Sequence, residues 1–168
     1  MPLLHERLVV FSTLSKAWGI AALRVGWLIA AAEVCRDIRK VKLPYSLNVI
    51  SETAAITVLR NPHFRDANVA NVSAERTRVM KLLRSKEALN PFPSEANFIC
   101  FRVKGDAKAT FEALYEAGVL IRDFSSSRGI ENCLRVSIGS PLQNDAFLSA
   151  LDNTLRAQRS NQLQENIR

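Results

Sequence analysis

The run from Phe98 to Gln158 leaves few folds open to this chain. It reads "FICFRV" as a strand, "DAKATFEALYEAG" as a helix closed by Gly118, "VLIR" and "LRVSIG" as two further strands, and "PLQNDAFLSALDNTLRAQ" as a helix. Gly118 tolerates the left-handed conformation that ends a helix, and Pro141 suits a first helical turn because its missing N–H is not needed there. Short apolar strands interleaved with amphipathic helices must bury their apolar faces against one another. The result is a compact α+β unit.

Upstream the pattern is looser. Leu8 to Phe11 is apolar and β-branched and reads as a buried strand ending where the hydroxyl cluster begins, and "LRVGWLI" (Leu23 to Ile29) reads as a second strand. Ala32 to Val41 has helical composition and is stopped by "LPYS", since Pro44 disfavours helix in the residue before it. A helix over about Val49 to Leu59 follows. A longer one runs from Phe64 to Leu89, with Val69, Val72, Val79, Leu82 and Leu83 as its buried stripe. With 168 residues, 48% of them hydrophobic, the chain supports one ordinary core or two small ones. The expected boundary lies in the long helix, with residues 1–65 as one part and residues 66–168 as the other. The polar tail "RSNQLQENIR" is expected to fray.

The formal net charge of +7 favours anionic partners. Its lysines and arginines are dispersed, the one weak cluster "RDIRKVK" (Arg36 to Lys42) reads as a solvated helix face, and no nucleic-acid-binding motif accompanies it. Small phosphorylated or carboxylated molecules are therefore the expected partners, rather than nucleic acid. Cys35, Cys100 and Cys133 are widely spaced and lie outside any C-x-x-C, so neither a metal site nor a disulfide framework is indicated, and a reducing, cytoplasmic setting is expected. "GWLIAAAEVC" is interrupted by Glu33 before it can span a bilayer, and the order of charge and apolarity in "MPLLHERLVVF" is not that of a signal peptide.

Chemistry concentrates between Phe11 and Ala30, where "FSTLSKAWGIAALRVGWLIA" contains two cations and no acid. Lys16 and Arg24 read either as a solvated edge or as a pocket for something anionic. Ser12, Thr13 and Ser15 tip the balance, because hydroxyl donors and a guanidinium fork suit phosphate oxygens. An amine held beside a phosphate-anchored aldehyde is what Schiff-base chemistry requires. Pyridoxal phosphate is such an aldehyde.

The segment "STLSKAWGIAALRVG" resembles the cofactor-lysine region of the class I and II aminotransferases of fold type I, and in particular the histidinol-phosphate aminotransferases. Along the chain, "LPYSLNVISETAA" resembles the family's P-Y-x-x-N segment and "PSEANFICFRV" its S-x-x-N-F strand. "GVLIRDFSSSRGIENCLRVSIGSPLQNDAFLSAL" resembles its terminal substrate-binding region. The resemblance implies an α/β fold in which a partial large domain precedes a complete α+β small domain. It makes pyridoxal 5'-phosphate the cofactor, Lys16 the catalytic lysine that binds it, and Thr13, Ser15 and Arg24 the contacts of its phosphate. Arg135 in "LRVSIG" would hold the substrate α-carboxylate, and Arg122 in "LIRDF" would reach the phosphate of a phosphorylated substrate, an edge-strand position being the alternative. Asn97 would line the pocket, although a turn at the strand start explains it equally; for Tyr45, packing, an active-site role and an interface role all stay open.

The implied reaction is transamination of histidinol phosphate with a 2-oxo acid, by an enzyme that pairs as a homodimer when full length. Members of this family are considerably longer, and the groups that bind the cofactor ring precede the lysine in them, so weak cofactor binding and little turnover are expected of these 168 residues alone. A decarboxylase of a phosphorylated amino acid on the same fold, and a non-catalytic assembly module, are the alternatives.

Overall fold

The computed structural model describes residues 5–165. It forms two compact units that divide between Ala70 and Asn71. The N-terminal four residues and the last three lie outside the described part, so the opening of the N-terminal run and the end of the tail expected to fray lie there too, while residues 159–165 of that tail are helical.

In the first unit, β1 (Val9–Thr13) pairs antiparallel with β2 (Gly26–Ala30), in register from Val9↔Ala30 to Thr13↔Gly26. α1 (Ala32–Val41) and α2 (Val49–Arg60) follow, the latter capped by Asn48, whose Oδ1 accepts the Ser51 N–H at 2.9 Å. Two sequence expectations change at this hairpin. The strand does not stop before the hydroxyls but runs through Ser12 and Thr13, because cross-strand pairing continues to Gly26. Nor is it buried: Phe11 is 75% exposed and Val10 is exposed, since a two-stranded hairpin has only one partner strand and, among the described residues, little covers its faces. Tyr45 is 96% exposed, so packing within this chain does not explain it.

α3 (His63–Arg84) carries the chain from one unit into the other. It ends five residues earlier than its periodicity predicts, because Leu89–Pro91 pairs with the next strand as β3. β4 (Phe98–Val103), α4 (Ala107–Glu116), β5 (Arg122–Phe124), β6 (Cys133–Ser137) and α5 (Pro141–Glu165) complete the second unit. Its antiparallel sheet has the order β3-β4-β6-β5. Ile99, Phe101, Leu134 and Val136 alternate onto one face, where they are buried with Val79 and Leu83 of α3, Leu114 of α4, and Phe147 and Leu151 of α5. That closed two-layer core is the α+β unit the sequence called for.

The expected strand "VLIR" shifts to Arg122–Phe124. α4 ends in a Schellman turn, with Gly118 at φ 78°, its N–H donating to Tyr115 O at 2.9 Å and the Val119 N–H to Leu114 O at 2.9 Å. Val119 is thereby tied back to the helix and is not free to pair with β6. α5 opens with a capping box, in which Ser140 N–H donates to Gln143 Oε1 at 2.9 Å and Gln143 N–H donates to Ser140 Oγ at 3.4 Å.

Candidate active site

The residues singled out by sequence fall into two sets, one in each unit. In the first unit, the connection from β1 to β2 is organised around the Thr13 hydroxyl. It donates to Val25 O at 3.1 Å and lies 2.7 Å from Ser15 Oγ, while the Ser15 N–H donates to it at 3.1 Å. Leu14 N–H also bonds to Val25 O at 3.0 Å, so Arg24, the residue before Val25, is drawn beside the Thr13–Ser15 turn. Arg24 sits in the left-handed region at φ 56°, is exposed, and donates to Ala21 O at 3.0 Å. Lys16 is exposed on the same connection.

Two contacts fasten that connection which the sequence did not signal. Asn68 Nδ2 donates to Ala17 O at 2.9 Å and Lys16 O at 3.3 Å, and the Arg65 guanidinium lies 5.2 Å from the Trp18 ring centroid. Both reach across about fifty residues from α3, a separation that no local pattern encodes. Gly26 permits the close crossing on the other side: a Cβ there would stand 2.9 Å from Ser12 O.

In the second unit, Arg122 of β5 is the cross-strand partner of Arg135 on β6, on the sheet face opposite the core. The Arg135 guanidinium carbon lies 5.1 Å from the Phe98 ring centroid and 5.6 Å from that of Phe124, and that of Arg122 lies 5.8 Å from Phe124. Aromatic faces hold and partly desolvate a guanidinium without neutralising it. Arg135 Nε is buried with no hydrogen-bond partner among the described residues, a condition that a bound carboxylate would relieve. Asp123 does not compete for either arginine, since it alternates to the other face. There the Ser125 N–H donates to it at 2.7 Å and Lys108 at 3.4 Å, which hold its carboxyl below the usual range, the Ser125 bond most strongly.

Both arginines line a cleft of about 660 Å³ with Gly118–Ile121, Ser137, Gly139 and the start of α5, and no acidic side chain is among its walls. Asn97 is half-buried just before β4, where its carbonyl accepts the Ile138 N–H at 2.9 Å, and it does not line this cleft. Cys100, across β4–β6 from Arg135, has its thiol pushed up, chiefly by burial.

The family model for aminotransferase class I and II matches residues 2–151. This chain belongs to that family. The histidinol-phosphate aminotransferase of Thermoanaerobacter pseudethanolicus is 37% identical over 150 residues, a match covering 89% of this chain and 42% of that protein. Among solved structures, the L-threonine-O-3-phosphate decarboxylase of Porphyromonas gingivalis superposes with a TM-score of 0.80 at 26% identity, over 90% of this chain and 48% of that one. The histidinol-phosphate aminotransferase of Sinorhizobium meliloti, solved in complex with pyridoxal-5'-phosphate, gives a TM-score of 0.82 at 23% identity, over 91% and 42%. The chain thus spans less than half the length of these relatives, and its fold is the matching part of a fold-type-I transferase.

Pyridoxal 5'-phosphate is the cofactor of the family. The first set of residues suits it in kind: an exposed amine, two hydroxyls in one turn and an arginine lie on one connection that carries no carboxylate.

Proposed function

We propose that this chain supplies the cofactor lysine and the substrate arginines of a pyridoxal-phosphate-dependent aminotransferase that acts on histidinol phosphate and a 2-oxo acid. Thr13, Ser15 and Arg24 hold the cofactor phosphate, and Lys16 Nζ is the amine that binds the cofactor and then carries the proton released from the substrate carbon. The cofactor, when bound, supplies an aldehyde that condenses with amines and a ring that accepts the electron pair of the broken C–H bond. Arg135 takes the α-carboxylate of the amino- or oxo-acid partner through two parallel N–H donors. Arg122 takes the phosphate of histidinol phosphate.

The observation that carries this reading is the Arg122–Arg135 pair: two guanidiniums directly opposite each other on an acid-free cleft suit anions, and the two half-reactions deliver one phosphorylated and one carboxylated substrate. The test compares histidinol phosphate with histidinol in an active enzyme containing this sequence. Loss of the phosphate should raise KM sharply with Arg122 present and much less with Arg122→Gln; equal ratios in both proteins would sink the assignment.

A decarboxylase of a phosphorylated amino acid is the second reading, supported by the Porphyromonas structure at 26% identity. It needs the same two anion contacts, and release of carbon dioxide rather than formation of a 2-oxo acid or aldehyde would identify it. Pairing of the whole protein as a homodimer in the cytoplasm is part of the proposal.

A further inference from the structure

We infer that Asn144 is a positioning residue for Arg135, acting through the turn that ends β6; the inference rests on reading Arg135 as the carboxylate holder. Asn144 lies in the first turns of α5 and is 3% exposed. Its Oδ1 accepts the Gly139 N–H at 3.0 Å and its Nδ2 donates to Gly139 O at 3.1 Å, so one side-chain amide closes both polar groups of a single backbone residue. The same Nδ2 donates to Glu75 Oε2 at 2.7 Å. Glu75 in turn receives Arg78 Nε at 2.9 Å and Nη2 at 2.8 Å, and Arg78 Nη1 reaches Asp145 Oδ1 at 2.8 Å. A buried amide that commits both its N–H donors and one oxygen lone pair to one turn and one carboxylate fixes that turn in a single arrangement.

The turn matters because of what it terminates. Gly139 lies four residues after Arg135, and β5 pairs with β6 only as far as Arg135, so beyond that point β4 alone holds the strand within the sheet. Asn144 secures the other end of that stretch and lines the same cleft as both arginines. Arg135 Nε has no partner of its own among the described residues, so its aim is set by the strand beneath it and by the Phe98 and Phe124 rings. A loosened turn would blur that aim without removing any group that touches substrate.

Asn144→Asp tests this, because it keeps the shape while turning the Nδ2 donor into an acceptor facing Glu75. The charged groups around the new carboxylate are Glu75 and Arg78 on α3, Asp145 on α5, and Arg122 and Arg135 in the cleft. At pH 7 two carboxylates would face each other and the Gly139 carbonyl would lose its donor; in acid a proton shared between the carboxylates would relieve their repulsion and replace the donor to Glu75, though not the one to Gly139. We expect the Gly139 amide and the Arg135 Nε–H of the 168-residue chain to exchange with solvent at least tenfold faster in the variant than in wild type at pH 7. The difference should shrink several-fold near pH 4.5, after correction for intrinsic exchange, with the Phe101 amide in β4 unchanged throughout.

Unchanged exchange at Gly139 and Arg135, or an equal acceleration at Phe101, would overturn the inference, the second because it is what a purely structural loss gives. Titration with 2-oxoglutarate separates the underlying reading. If wild type shows no shift of the Arg135 Nε–H signal, the carboxylate assignment fails while the exchange data still decide the role of Asn144.

Discussion

Arg122 and Arg135 face each other directly across the β5–β6 ladder, with the Phe124 ring within 6 Å of both guanidiniums. Like charges directly opposite destabilise an antiparallel pair, so the unliganded sheet holds a small repulsion that an anion would relieve. Arg122→Gln is expected to raise the melting temperature slightly in phosphate-free buffer. Added inorganic phosphate should stabilise the wild type and leave the variant nearly unaffected; scanning calorimetry with and without phosphate reads both effects.

Lys16 is exposed on the same connection as the Thr13–Ser15 hydroxyl pair. Borohydride treatment in the presence of pyridoxal phosphate should attach a pyridoxyl group to the peptide containing Lys16 ahead of the other exposed lysines, and Arg24→Ala should weaken that preference at least fivefold. Mass-spectrometric mapping that finds label spread evenly over surface lysines would remove the cofactor assignment.

Glu75 predicts an acid-sensitive link between α3 and α5. The Arg78 guanidinium, with Asn144 second, lowers its carboxyl from 4.5 to about 2. A depressed carboxylate stabilises the fold fully above its unfolded value, and that contribution declines as pH falls below about 4.5 and is gone once pH has passed below about 2. Glu75→Gln should therefore be less stable than wild type at pH 7, and the gap should close as pH falls through that window. Urea titrations across the range measure it, and a pH-independent gap would contradict an origin in the Glu75 carboxylate.

Gly26→Ala should destabilise the β1–β2 hairpin. The added methyl would stand 2.9 Å from the Ser12 carbonyl, a backbone atom that cannot swing aside, and overpacking of this kind costs about 1–3 kcal/mol. Faster amide exchange at Thr13 and Val25, with β4 and β6 unaffected, is the expected signature.

The sequence was most legible where local pattern and tertiary demand coincide. α4 carries its own Asp106 cap and Schellman glycine, and its bounds could be read almost to the residue. β3 escaped because three residues among prolines carry no periodicity; they become a strand only by pairing with Val103 to Phe101. β1 is exposed although its run is apolar, because an apolar run states what a strand prefers to touch, not whether a neighbour is there. At the candidate site, the residue types that bear chemistry stood out through their spacing. Asn68, Glu75 and Asn144 did not, since ordinary polar residues acquire their roles from contacts with residues far away in the chain.

Asn132 is the amide on which the second unit's central joint depends. In the left-handed region at φ 60°, it points its side-chain N–H groups at the carbonyls of Val103 (2.6 Å) and Gly105 (2.7 Å) while its Oδ1 takes the Ala107 N–H at 3.0 Å. Asparagine is chemically perishable, hydrolysing slowly to a carboxylate. At this position that change would turn two donors into a negative charge aimed at two carbonyl oxygens, at the joint where β4, α4 and β6 are tied together. A molecule hydrolysed at Asn132 would lose that joint for good, so a preparation aged until this change occurs should melt below a fresh one.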